Sequence, residues 1–296
     1  MLTIEEAFAK FKHRQELTTR EQDDVSRRHK EVRDLVADTV RVERDFLSGS
    51  YARWTKTRPL KDVDVFCVLH EDERSFRNQH PSALLRKIED GLAPVYGQGH
   101  VRADRMAVTV AFGVAVSEDD ETDDKVMSID VVPGFPKDGH FEIPDADFGT
   151  WIETSPEAHA RLAVQAHDAY SREWKPLVRM IKKWNRHNGR PITPSFLLEV
   201  MALDLLVPPF SGGYPYELKG FFASAADRIH DAWPDPGGLG PAVSDAMALA
   251  QKDAAKRALT SAEANVSQAI LLARQGKTGE ALRSWRALFG PQFPLS

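Results

Sequence analysis

Apolar positions change their spacing twice along the chain, and the changes divide it into three stretches. Over roughly the first 45 residues the spacing is helical. Val25, Val32, Val36 and Val40 fall near one face, and Thr19-Arg20-Glu21-Gln22 ahead of them has capping-box spacing. From Asp45 to Val132 the apolar residues gather instead into short runs, at Phe46-Leu47, Val63 to Leu69, Val108 to Val116 and Met127 to Val132. Runs of that length predict strands, with one helix among them at Pro81 to Ile88. The acidic stretch Glu118 to Asp124 joins the last two runs and predicts a solvated hairpin loop.

After Pro144 the helical spacing returns. Ser155-Pro156-Glu157 combines a capping residue with a proline in the first turn, which predicts a helix start. Arg172 to His187 places Trp174, Leu177, Val178, Ile181 and Trp184 on one face and ends at Gly189-Arg190-Pro191. A further helix is expected from Ser195 to about Leu206, loops at Ser211 to Pro215 and Pro234 to Pro241, and mostly helix from Val243 to Phe289. The order predicts an α+β fold of two lobes. Residues 1–150 carry a mixed sheet with N-terminal helices, and residues 151–296 form an all-helical lobe.

Composition narrows the class. With 42% hydrophobic residues in 296, the chain has enough apolar side chains for a sizeable core. A formal net charge of -5 argues against a protein whose main partner is a nucleic-acid backbone, though not against a small anion held by a local positive patch. The single cysteine, Cys67, excludes a disulfide framework and a zinc ribbon, and its apolar surroundings predict a buried thiol. No apolar run is long enough for a membrane helix, and the first residues lack a signal-peptide pattern, so a cytoplasmic location is expected.

The candidate chemistry lies in Leu47-Ser48-Gly49-Ser50-Tyr51-Ala52-Arg53 and the Lys61-Asp62-Val63-Asp64-Val65 that follows. Alternate residues of a strand share a face, so Asp62 and Asp64 point together while Val63 and Val65 point to the core. Two such carboxylates repel unless a cation lies between them, and Mg²⁺ takes oxygen ligands of this kind. Glycine lets backbone approach a phosphate, and Ser50 adds a hydroxyl donor beside Gly49. Asp130, an acid within the apolar Ser128 to Pro133, needs a partner: a salt bridge or a metal. In Pro176 to Trp184, Arg179, Lys182 and Lys183, with Arg186 beyond, share the face opposite the apolar one. That face reads either as a solvated surface or as an anion site.

These residues together resemble the polymerase-β-like nucleotidyltransferase superfamily, whose signature is a Gly-Ser turn, an Asp-x-Asp pair and a later third aspartate. More narrowly, the chain is similar to the bacterial cyclic-oligonucleotide synthases related to cyclic GMP-AMP synthase, the CD-NTases. The similarity runs through Gly49 to Val65, Ile129 to Pro133, Ile143-Pro144-Asp145 with Trp151-Ile152, Lys175 to Val200, and the ending Leu288-Phe289-Gly290 with Phe293-Pro294.

The resemblance implies a nucleotidyltransferase core whose helical lobe completes the nucleotide cleft. It implies Asp62, Asp64 and Asp130 as catalytic ligands of two Mg²⁺ ions, for which Mn²⁺ substitutes. Gly49, Ser50, Lys182 and Ser195 would bind the triphosphate, and Phe196 would stack on the donor base, with core packing as its alternative. Substrates would be ATP and other ribonucleoside triphosphates, and the product a cyclic di- or trinucleotide second messenger made with release of pyrophosphate. Bacterial anti-phage signalling (CBASS) through a separately encoded effector is expected. A linear oligonucleotide synthase or an RNA-tailing enzyme is the alternative, and the acidic charge weighs against the latter. Lacking a zinc ribbon and a basic tail, the chain is not expected to be activated directly by double-stranded DNA.

Overall fold

Two capping boxes start the first two helices. Helix α1 (Ile4–Arg14) opens at Thr3, whose hydroxyl accepts the Glu6 N–H while the Glu6 carboxylate accepts the Thr3 N–H. Helix α2 (Thr19–Thr39) opens at Thr18, paired in the same way with Glu21. The second box is thus set one residue earlier than its expected position, because Glu21 falls at the third helical residue only when Thr18 is the cap. The structure is a computed structural model that describes residues 2–113 and 128–296. The acidic stretch Glu118 to Asp124 therefore lies outside the described residues.

The chain forms two units. One, residues 17–113 and 128–160, contains α2 and a seven-stranded mixed sheet. Its elements after α2 are β1 (Val42–Leu47), the short helix α3 (Gly49–Ala52), β2 (Asp62–Leu69) and α4 (Ser82–Tyr96). They continue with β3 (Val101–Ala103), β4 (Val108–Ala111), β5 (Ser128–Lys137), β6 (His140–Asp145) and β7 (Thr150–Thr154). The strand order is β1-β2-β5-β4-β3, with β6 pairing to the far end of β5 and β7 to β6. Among the described residues only β2 and β5 run parallel.

Alternation along the strands sets what each face buries. Val63, Val65, Cys67 and Leu69 of β2, with Ile129 and Val131 of β5, pack in one cluster with Val25, Val32 and Val36 of α2 and Leu84, Leu85, Ile88 and Leu92 of α4. The other face holds a smaller cluster in which Phe66 and Val68 meet Phe141 and Ile143. Burial pushes the Cys67 thiol up to about 12, so it stays protonated and inert at neutral pH.

The strands β6 and β7 are not expected from the sequence, and the helix start expected at Ser155-Pro156-Glu157 follows directly after β7. Their pattern is obscured by charge: Glu142 and Asp145 are buried positions, held by Arg77 and Lys137 and by Arg105. In periodicity, a paired buried acid reads as a surface residue.

Helix α5 (Pro156–Ala169) leads into the second unit, which comprises residues 2–16 and 161–296. It contains α1, α6 (Trp174–His187), α7 (Phe196–Leu205), α8 (Tyr214–Arg228), α9 (Leu249–Arg274) and α10 (Thr278–Phe289). Phe8 of α1 packs edge-on to Trp285 at 4.8 Å between ring centres and lies 5.2 Å from Phe293, so the first helix belongs to this core. Helix α8 begins inside the glycine- and proline-rich stretch expected to be a loop. Pro215 stands in its first turn, where the missing N–H costs no helical bond, and Phe221 and Phe222 are buried. The fold is α+β with a mixed sheet. No helix among the described residues is long and apolar enough to cross a membrane.

Candidate active site

The parallel register of β2 and β5 pairs Asp64 with Asp130 and Asp62 with Ser128. Neighbouring strands lie about 4.8 Å apart, and paired residues point the same way, so Asp64 and Asp130 stand side by side with Asp62 two residues along the same face. On its far side Asp130 pairs with Thr109 of β4, whose hydroxyl donates to Asp130 Oδ1 at 2.7 Å. Three strands thus converge on one patch at the edge where β2 and β5 begin.

Gly49 closes the patch from above. It takes φ +61°, a conformation that favours glycine, and a Cβ there would overlap the Asp64 carboxylate. The turn is tied to β2 directly, for Ser48 N–H donates to the Asp64 carbonyl at 2.8 Å. Beyond α3 the chain folds back: Thr55, fully buried, donates its N–H to the Ser50 carbonyl at 3.0 Å. Arg58 then donates to the buried carboxylate of Glu21 at 2.9 Å. The segment carrying Gly49 and Ser50 is therefore fixed at one end to β2 and at the other to the first turn of α2.

The patch is electrostatically loaded. Burial first, and then the charges of Asp64 and Asp62, push the Asp130 carboxyl up to about 6 against the opposing Thr109 hydrogen bond and Lys56 charge. Lys56 reaches Asp62 Oδ1 at 2.7 Å. Among the described residues no three acidic, histidine or cysteine side chains already close around one point. The donor set nevertheless fits a hard divalent cation. It is made of carboxylate oxygens on adjacent strands, carrying mutual repulsion that a cation relieves.

Lys182, Ser195 and Phe196 lie in the helical unit. The solvated-face reading of α6 does not hold, since Arg179, Lys182 and Lys183 are all buried. Lys182 donates to Glu199 of α7 at 2.5 Å, an ion pair buried on both sides. Asn185 holds the intervening loop, its side chain donating to the Ile192 carbonyl at 2.8 Å and accepting the Ile192 N–H at 2.9 Å. That loop leads to Ser195, which is exposed at the start of α7, while Phe196 packs half-buried against the helical core. Removing one partner of a buried pair is strongly destabilising, so Glu199→Ala is expected to lower stability by about 3 kcal/mol. A urea midpoint unchanged from the parent chain would contradict that.

Sequence reading missed Thr109, Lys56, Arg58, Glu21 and Glu199 as parts of these arrangements. Thr109, Arg58, Glu21 and Glu199 act through partners distant in the chain, brought together by strand register or by the packing of elements, while Lys56 turns back onto the nearby Asp62. Glu21 lay within the expected capping box, but the spacing there paired Thr19 with Gln22 and gave Glu21 no role.

Comparison with known proteins gives a family match. The model of the Second Messenger Oligonucleotide or Dinucleotide Synthetase domain (SMODS) matches residues 2–166. A cyclic AMP-AMP-AMP synthase of Acinetobacter is 26% identical over 273 residues, covering 85% of this chain and 73% of that protein. The structure of E. coli MS115-1 CdnC with ATP superposes with a TM-score of 0.71 at 19% identity, covering 99% of each chain. That of the Bradyrhizobium diazoefficiens CD-NTase CdnG in complex with GTP gives 0.72 at 17% identity, covering 97% of this chain and 95% of that one.

Proposed function

The chain belongs to the second messenger oligonucleotide or dinucleotide synthetases, and from that premise we propose that it is a metal-dependent nucleotidyltransferase joining ribonucleoside triphosphates into a cyclic oligonucleotide with release of pyrophosphate. The observation that carries this reading is the strand register setting Asp64 beside Asp130 under Gly49. Relatives and fold neighbours support the substrate class: one is named for a cyclic adenosine trinucleotide, and two superposing structures hold ATP and GTP.

In this reading Asp62, Asp64 and Asp130 hold two Mg²⁺ ions, with Mn²⁺ as a substitute. When bound there, the ions would supply charge neutralisation on the triphosphate and a lowered pKa for the ribose hydroxyl. Gly49 presents bare backbone to the phosphates, and the Ser50 hydroxyl donates to them. Lys182 and Ser195 are the proposed triphosphate contacts of the helical unit, and Phe196 its base-stacking residue. Held in line, the acceptor hydroxyl attacks the α-phosphorus of the donor, and the bond to the β-phosphate breaks. Pyrophosphate leaves with that electron pair, and the hydroxyl proton passes to solvent. A linear intermediate then repeats the step on itself and closes the ring. The setting would be the bacterial cytoplasm, in anti-phage signalling through a separate effector that senses the cyclic product.

The test is incubation with the four ribonucleoside triphosphates and Mg²⁺ or Mn²⁺, then phosphatase, then mass spectrometry. Cyclic products carry no terminal phosphate and survive phosphatase at the mass of their joined monophosphates. Products that all lose phosphate would instead identify a linear synthase.

A further inference from the structure

Lys56 lies between α3 and β2, and no role in the proposed chemistry has been given to it. Its ammonium is 2.7 Å from Asp62 Oδ1, and its side chain is 11% exposed against 46% for that of Asp62. A flexible surface lysine beside an aspartate contributes little, but Lys56 is held on both sides. Before it, Thr55 is fully buried with its N–H on the Ser50 carbonyl; after it, Arg58 is locked to the buried Glu21. The ammonium is thus brought to the acidic patch by a rigid segment, and its charge is felt at Asp130 as well as at Asp62.

We propose that Lys56 is a built-in competitor for the cation site, its ammonium occupying Asp62 in the metal-free enzyme and leaving when a divalent cation binds. The inference rests on the metal role proposed above for Asp62. One carboxylate oxygen cannot give its full field to an ammonium and a divalent ion together, because the two cations repel at contact distance. Lys56 therefore sets the affinity of the empty site and balances its negative charge until the ion arrives. It acts through Asp62, as a positioning residue.

The test is Mn²⁺ titration without nucleotide, followed by electron paramagnetic resonance or calorimetry. Lys56→Met and Lys56→Gln are expected to bind Mn²⁺ about tenfold more tightly than the parent chain, the factor one competing charge-assisted hydrogen bond supplies. Lys30→Met, which removes a charge from the exposed surface of α2, should stay within about twofold, since a distant surface charge is screened. Unchanged or weaker binding by both Lys56 variants, with the parent chain binding normally, overturns the inference. Reductive methylation read by mass spectrometry gives a second answer on the unmutated protein. Lys56 should label faster once Mg²⁺ is added, and an unchanged or slower rate counts against release. If Asp62→Asn with Asp64→Asn binds Mn²⁺ as the parent chain does, the metal reading itself fails and this inference falls with it.

Discussion

Asp130→Asn is expected to abolish cyclic product, by about ten-thousandfold or more (~5 kcal/mol of barrier), while making the metal-free protein more stable. The two effects share one cause. Burial and the neighbouring charges of Asp64 and Asp62 raise the Asp130 carboxyl to about 6 in the folded state. A carboxyl whose folded value lies above its unfolded value costs stability once it ionises. The penalty is absent below about pH 4, where Asp130 is protonated in both states, and full above about pH 6. Asparagine keeps an oxygen to accept the Thr109 hydroxyl and carries no charge. In EDTA at pH 7 it should gain roughly 1–3 kcal/mol, the size of a shift of about two units discounted for relaxation. At pH 4 the gain should vanish. A dead variant with a higher melting temperature cannot have lost activity by unfolding, so the loss is assigned to the missing ligand. Retained turnover would remove Asp130 from the site, and a lower melting temperature at pH 7 would show that its charge is compensated in the fold.

What could be read from the sequence follows from which interactions are local. Asp64 and Asp130 stood out because each interrupts an apolar strand run, and Asp62 because it opens one on the face of Asp64; strand alternation needs no knowledge of partners. The Gly49-Ser50 turn was legible for the same reason: it sits between two strand runs. The arrangement around them was not legible. Thr109 meets Asp130 through the antiparallel register of β4 and β5, and Lys56 meets Asp62 through a segment pinned by Glu21 on another helix. Strands β6 and β7 were hidden because Glu142 and Asp145 are acids buried against basic partners, and α8 because its first turn is built from Tyr214 and Pro215. The basic face of α6 read either as solvated surface or as an anion site, and only neighbours far along the chain show that Lys182 and Lys183 are buried.

Gly49→Ala is expected to reduce turnover by between a hundred- and a thousandfold, although the side chain added is a single methyl. The methyl has nowhere to go. At φ +61° an L-residue pays about 1 kcal/mol or more in backbone strain, and here the new carbon also overlaps the Asp64 carboxylate. Either the turn lifts off β2, breaking the Ser48 N–H bond to the Asp64 carbonyl, or Asp64 swings away from Asp130. Both outcomes damage the same unit, because the turn proposed to meet the phosphates and a carboxylate proposed to hold the cation are in contact. Mn²⁺ affinity should therefore fall together with turnover. Ser50→Ala removes one donor and leaves that contact intact, so it should cost turnover about tenfold and spare Mn²⁺ affinity. The pair of variants separates two ideas of the glycine. If it only shortens the approach of phosphate to backbone, Gly49→Ala raises KM and leaves Mn²⁺ binding alone. If it also makes room for Asp64, metal binding falls with kcat, which is the outcome the geometry requires.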